Sequence, residues 1–257
     1  MNVETLLPVL ALLGLGSYFQ TVTGFGMGLI VMGAASGLHL APVATLAALV
    51  SLLTLANGAL ALPGKLHHID WRAVRAATLG ILPSVVAGVV LLHYLSGTAA
   101  GVLQLMLGAV VLYGGIGAAL RPAALPSRSG DGSFFVSGVC GGLLSGLFGV
   151  SGPPLIFQFY RQPLNMVQIR CALILVFTTT SAVRTAYSAW QGELAGDVWL
   201  QAALAFPVVA LSTIAARRFP PPLSTEATRR LAFGVLVVLG AYLMVGALWQ
   251  WFMAYSA

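Results

Sequence analysis

Charge is what this sequence has least of. Of its 257 residues only 7% are Asp, Glu, Lys or Arg, against about 25% in soluble domains, while 59% are hydrophobic and mean hydropathy is +0.96. A chain this poor in charge cannot cover a water-facing surface. That excludes a soluble enzyme or binding domain and makes the chain a polytopic membrane protein. Acid is scarcer still. The six acidic residues, Glu4, Asp70, Asp131, Glu193, Asp197 and Glu226, fall at segment ends or in loops. No intramembrane carboxylate is therefore available for a proton relay or a sodium cage. Cysteine is nearly absent. Cys140 and Cys171 stand alone in apolar stretches, with no CxxC and no adjacent histidine, so they form no metal motif and read as small buried hydrophobes. No cofactor is implied. No soluble segment is long enough to carry a basic folded face, so the net charge of +6 speaks to orientation and not to nucleic acid. The start, MNVETLLPVL, lacks the positive region of a signal peptide and reads as the beginning of a membrane segment.

What is present is a series of eight apolar segments, approximately 4–37, 41–62, 71–94, 98–120, 133–160, 164–190, 197–216 and 226–253. A crossing needs about 20 apolar residues, and six segments fit one crossing each. The first and fifth are interrupted. In Ser145–Leu155, SGLFGVSGPPL, glycines, serines and two prolines stop the helix partway. Pro153 and Pro154 lack an amide hydrogen and bias the preceding residue away from helix. Proline is tolerated in a first turn, so a second helix is expected to start here with Ser151 as N-cap. Thr21–Leu29, TVTGFGMGL, breaks the first segment in the same way. In hydrocarbon, broken backbone survives only where protein or a water-filled cavity covers it, which makes both breaks site candidates.

The polar stretch Arg121–Ser133 divides the chain into similar halves. Leu103–Leu120 aligns without a gap on Leu231–Leu248, Leu29-Ile30 falls on Leu155-Ile156, and Asn57 falls on Arg184. This reads as two four-segment membrane repeats, 1–121 and 133–257, joined by a linker at 122–132. Counting charges orients them. If every segment crosses once, Lys65, Arg72, Arg75, Arg121 and Arg128 face one side, while Arg161, Arg170, Arg217, Arg218, Arg229 and Arg230 face the other. If segments one and five are re-entrant hairpins, all eleven share one side and the opposite face keeps Glu4, His39, Glu193 and Asp197. Only the second arrangement satisfies the positive-inside rule. The expectation is an all-α protein of two inverted repeats, each a re-entrant broken-helix hairpin plus three transmembrane helices. The linker and basic loops are cytoplasmic, both termini lie outside, and the hairpin tips meet near the midplane.

Each returning arm would start at its tip, aiming a helix N-terminus with unpaired amides and partial positive charge at the membrane centre. Two such ends converging make an anion site. The candidate ligands are Thr23, Gly24, Gly26 and Gly28 on the first tip and Gly149, Ser151 and Gly152 on the second. Gln20 and Gln158 lie beside the tips. Asn57, Thr180 and Arg184 lie at depth in neighbouring segments, among Ser51, Thr54, Thr178, Thr179 and Ser181. Two bland readings stay open. Arg184 lies about two turns from the outer end and could snorkel to the interface. Gly138, Gly142 and Gly146 recur every four residues and suit close helix packing.

Two motif look-alikes are weak. Gly149-Val-Ser-Gly152 resembles the GxSG of rhomboid proteases, but all four histidines precede Ser151 instead of following it. Thr21–Gly26, TVTGFG, is similar to a potassium-channel filter, but has an extra threonine and no repeat in the second half. The stronger likeness is to the sulfite exporter TauE/SafE family of membrane permeases. It spans nearly the whole chain and rests on Ser145-Gly-Leu-Phe-Gly-Val-Ser-Gly152 with Pro153-Pro-Leu155, and on Thr23-Gly-Phe-Gly-Met-Gly28. Ser151, Pro153 and Pro154 depart from positions where that family's glycines are common. The resemblance implies export of small sulfur oxyanions, such as sulfite or sulfoacetate, across a bacterial inner membrane. The partners expected are that anion and the lipid bilayer, with a homodimer left open. An anion channel with the same tips is the alternative.

Overall fold

The computed structural model describes residues 3–38, 40–98, 100–119, 125–192, 194, 196–219, 234, 237–238, 240–246 and 248. The expectations placed on His39, Arg121, Glu193, Glu226, Arg229 and Arg230 lie outside the described residues. Among these residues the regular elements are all helical. In chain order they are α1 (Val3–Thr23), α2 (Met27–Gly37), α3 (Val43–Ala61), a 3-10 turn at Leu66–His68, α4 (Trp71–Thr98), α5 (Ala100–Ala119), α6 (Asp131–Phe148), α7 (Gly152–Tyr160), α8 (Met166–Trp190) and α9 (Gly196–Arg218). The two interrupted segments each divide in two. Among the described residues, six helices are long and apolar enough to cross a bilayer. The chain is a multi-pass membrane protein.

The short helices α2 and α7 hold 11 and 9 residues, about 17 and 14 Å at 1.5 Å per residue. Each folds back on its predecessor. A Cβ on Gly16 would stand 3.0 Å from Met27 Cα, and one on Gly141 2.7 Å from Leu155 Cδ1 and 3.1 Å from the Ser151 carbonyl oxygen. Glycines close both turns, Gly24 at φ +92 and Gly26 at φ +118 in the first, Gly149 at φ +67 in the second. A side chain would be strained at each. The second hairpin also returns to its starting end. The Leu125 amide donates to the Arg161 carbonyl at 2.8 Å, and the Ser129 amide donates to Gln162 Oε1 at 2.8 Å.

The most extensive helix contact joins α4 to α6. The two run parallel. Gly138 seats on Ala77, Gly142 on Ile81 and Ser84, and Gly146 on Val85 and Gly88. Facing glycines let the backbones touch, so the four-residue glycine spacing has the close-packing role. An ion-pair cluster holds this register at one end. Arg72 reaches Asp131 at 2.9 Å, and Arg128 spans Asp70 at 3.1 Å and Asp131 at 2.9 Å. α1 and α9 also run parallel, with Gly14 against Val208 and Ser212, and Tyr18 donating to the Phe219 carbonyl at 2.8 Å.

The described cations other than Arg184 gather at this same end. Arg217 donates to the Leu60 carbonyl, and Lys65 lies within electrostatic reach of Arg170 and Arg217. Arg161 follows α7 there, Arg75 sits one turn into α4, and Arg218 closes α9. Burial lowers the pKa of Lys65, and its two cationic neighbours push it the same way.

Candidate functional site

The hairpin tips meet beside the middles of α3 and α8. A Cβ on Gly28 would lie 3.0 Å from Val150 Cγ2 and 3.3 Å from the Gly149 carbonyl oxygen, and one on Gly152 3.3 Å from Leu29 Cδ1. The starts of α2 and α7 therefore overlap side by side. Both tips overshoot this contact. Thr23 accepts from the Tyr160 hydroxyl at 3.2 Å, and Gly24 abuts Arg170, both toward the basic end. Gly149 abuts Ala47, near the opposite end of α3.

A buried cavity lies where the tips overlap. Gln20, Gly26 and Gly28 line it from the first hairpin, and Gly149, Ser151 and Gly152 from the second. Thr54 of α3 and Ser181 of α8 face it from the flanks, with Phe177 and Leu29 as apolar wall. It offers about 20 Å³ to the centre of a water molecule, room for one water.

Its electrostatics come from backbone. Gly26 and Ser151 are the N-cap residues of α2 and α7, and neither gives a side-chain cap. The first-turn amides are left to the cavity side, where the helix ends carry partial positive charge. The ends are unequal. α2 opens with the amides of Met27, Gly28 and Leu29, whereas Pro153 and Pro154 leave Gly152 as the first-turn donor of α7.

Six of the twelve sequence-proposed site residues thus come together: Gln20, Gly26, Gly28, Gly149, Ser151 and Gly152. The rest do other work. Thr23 closes the first turn through the Phe19 and Phe25 carbonyls, and Gly24 is a turn residue against Arg170. Thr180 donates back to Val176 at 2.6 Å. Gln158 is buried on α7, its carbonyl accepting from Gln162, with Nε2 unpartnered among the described residues. Arg184 is 2% exposed and does not snorkel.

Asn57 holds the cavity wall. Its Nδ2 donates to Thr21 Oγ1 and Thr213 Oγ1 at 2.9 Å, and to Ser17 Oγ at 3.1 Å. Thr21 and Thr213 commit their own protons to the Ser17 and Val209 carbonyls, so the Asn57 amide has one workable orientation. Its Oδ1 then accepts from Gln20 Nε2 at 3.1 Å and pins Gln20 against the cavity. Thr54 and Ser181 line the cavity, and the expected Thr180 does not. The available signal was the shift that lays Asn57 on Arg184, which also lays Thr54 on Ser181.

Uncapped helix starts converging on a small cavity inside a bundle of membrane helices are the architecture of a membrane transporter. The chain matches the family model described as sulfite exporter TauE/SafE over residues 9–243. It is 69% identical over 254 residues to a protein of Cupriavidus necator named probable sulfite/organosulfonate exporter TauE, covering 98% of this chain and 99% of that one. No solved structure matches it. The chain belongs to the TauE/SafE family of membrane transporters and is not an enzyme.

Proposed function

We propose that this protein exports small sulfur-containing anions, sulfite or organosulfonates such as sulfoacetate, from the cytoplasm across the bacterial inner membrane. The observation that carries this reading is the pair of uncapped helix starts, at Gly26 and Ser151, facing one buried cavity. Amide hydrogens and two partial positive charges suit an oxyanion. The name of the Cupriavidus relative supports the substrate class. The basic end is cytoplasmic by the positive-inside rule, which puts both termini outside. The halves 1–121 and 133–257 then act as inverted repeats joined by the linker 122–132. A cavity holding one water is too small for an oxyanion of four or more heavy atoms, so it represents a contracted state between openings.

The test is efflux of radiolabelled sulfite from proteoliposomes. Gly152→Leu, which drives a side chain into Leu29 and Ile156, abolishes transport while the protein still inserts and folds. Wild-type efflux from that variant rules the tips out. Saturable counterflow in the same vesicles identifies a carrier; its absence identifies a channel.

A further inference from the structure

We propose that the hydroxyls of Thr54 and Ser181 are a matched pair of substrate ligands, one from each half of the chain, each donating a hydrogen bond to an oxygen of the transported oxyanion. This rests on the tip cavity being the anion site.

A hydroxyl inside a helix normally turns back to the carbonyl four residues earlier. The neighbours of both residues do so. Ser51 donates to Ala47, and Thr178, Thr179 and Thr180 donate to Ile174, Leu175 and Val176. Thr54 and Ser181 make no such bond, and neither hydroxyl has a hydrogen-bond partner among the described residues. Yet they are only 4% and 3% exposed, and both line the cavity between the tips. Their oxygens open onto the cavity, where solvent can complete them at rest and a substrate oxygen can take its place.

Their placement is paired. The shift that superposes Asn57 on Arg184 superposes Thr54 on Ser181, so each donor sits one turn before the residue that braces a hairpin. Asn57 holds Gln20 of the first hairpin, and Arg184 holds Gly146 of the second. Phe177 and Leu29, on the same wall, offer an apolar surface to whatever substituent the anion carries. The arrangement fits a compact oxyanion with several oxygens on one centre and a small tail, as in a sulfonate.

The experiment compares full-length Thr54→Val, Ser181→Ala and the double variant in proteoliposomes and nanodiscs, with sulfite and ethanesulfonate as probes. Thr179→Val, whose hydroxyl is tied to Leu175, is the control. Each single variant should raise KM about tenfold for both anions, since bonds to a charged partner are the stronger class. The double variant should raise it roughly a hundredfold, and Thr54→Ser should restore most of the affinity. Melting temperature without anion should stay level or rise, because no protein partner is lost, while stabilisation by sulfite should shrink. An unchanged KM in the double variant, with Gly152→Leu still inactive, overturns the hydroxyl assignment and leaves the tip site standing. A fall in anion-free melting temperature overturns it too, by making the hydroxyls structural. Normal transport by Gly152→Leu removes the tip site and this proposal together.

Discussion

Arg184 on α8 donates from Nε to the carbonyl oxygen of Gly146, 3.3 Å away in the last turn of α6. The final carbonyls of a helix have no intrahelical partner and carry partial negative charge. The Gly149 amide takes the Ser145 carbonyl, and the buried guanidinium takes the next. Its Nη1 lies 3.5 Å from Ser51 Oγ. The cation thus braces the second hairpin just before its turn, as Asn57 braces the first through Gln20.

Arg184→Gln should therefore act first on the fold. The shorter side chain loses the Gly146 carbonyl, and a buried unsatisfied carbonyl costs about 1–3 kcal/mol. The expected outcome is a lower melting temperature together with slower efflux, with Arg184→Lys intermediate. A variant that keeps wild-type stability but loses anion affinity would make Arg184 a ligand instead of a brace.

The contact between Gly28 and Val150 should break during transport, because the contracted cavity admits only a water. With Cys140 and Cys171 replaced, Gly28→Cys paired with Val150→Cys places two thiols where a Cβ now meets the Val150 side chain at 3.0 Å, within disulfide reach. Oxidation should stop efflux and reductant should restore it. Undiminished transport by the oxidised pair would show that the tips stay together.

Much of this architecture was legible in the residues. The Gly-Pro interruption at 149–154 specifies a helix start, and Gly152 does open α7. The distribution of Arg161, Arg170 and Arg217 required the fifth segment to leave where it entered, and the Leu125–Arg161 and Ser129–Gln162 bonds place its two ends together. What periodicity could not resolve was rotation. Four consecutive hydroxyls, Thr178 to Ser181, span a full turn of α8 at 100° per residue, so composition cannot say which one faces inward. The neighbouring helices decide that, and Ser181 faces the cavity while Thr180 does not. Depth was equally hidden. α1 runs 21 residues, which carries Thr23 beyond the point where the tips meet.

Lys65 gives a pH signature outside the membrane segments. Burial, then Arg170 and Arg217, hold its pKa below the usual 10.5, so the charged form is disfavoured in the folded protein. Between the lowered value and 10.5 the unfolded chain binds more protons, and stability contributed by this group rises with pH across that window. Below it the penalty is fully present. Lys65→Gln should therefore raise the melting temperature at pH 7, and the gain should shrink toward pH 10. An equal gain at both values would show that desolvated charge is not the cause.

Efflux should be driven by membrane potential without a proton partner. The described acids Glu4, Asp70, Asp131 and Asp197 stand at helix starts, and Asp131 is already paired with Arg72 and Arg128. The cavity is lined by amides, hydroxyls and the Gln20 amide, none of which changes charge near neutral pH. A bound anion would therefore carry its own charge across. An inside-negative potential supplies about 2.3 kcal/mol per charge per 100 mV. At about 1.4 kcal/mol per tenfold, a monovalent sulfonate at that voltage could be expelled against roughly a fiftyfold gradient. A divalent sulfite gains twice that free energy. The measurement is anion efflux from proteoliposomes with the potential clamped by potassium and valinomycin and no pH gradient. Efflux should rise with inside-negative voltage and vanish when the voltage balances the anion gradient. If it ignores voltage and follows an imposed proton gradient, a proton travels with the anion. In that case the carrier of the proton must be the anion itself or a histidine, because among the described residues no carboxylate borders the cavity.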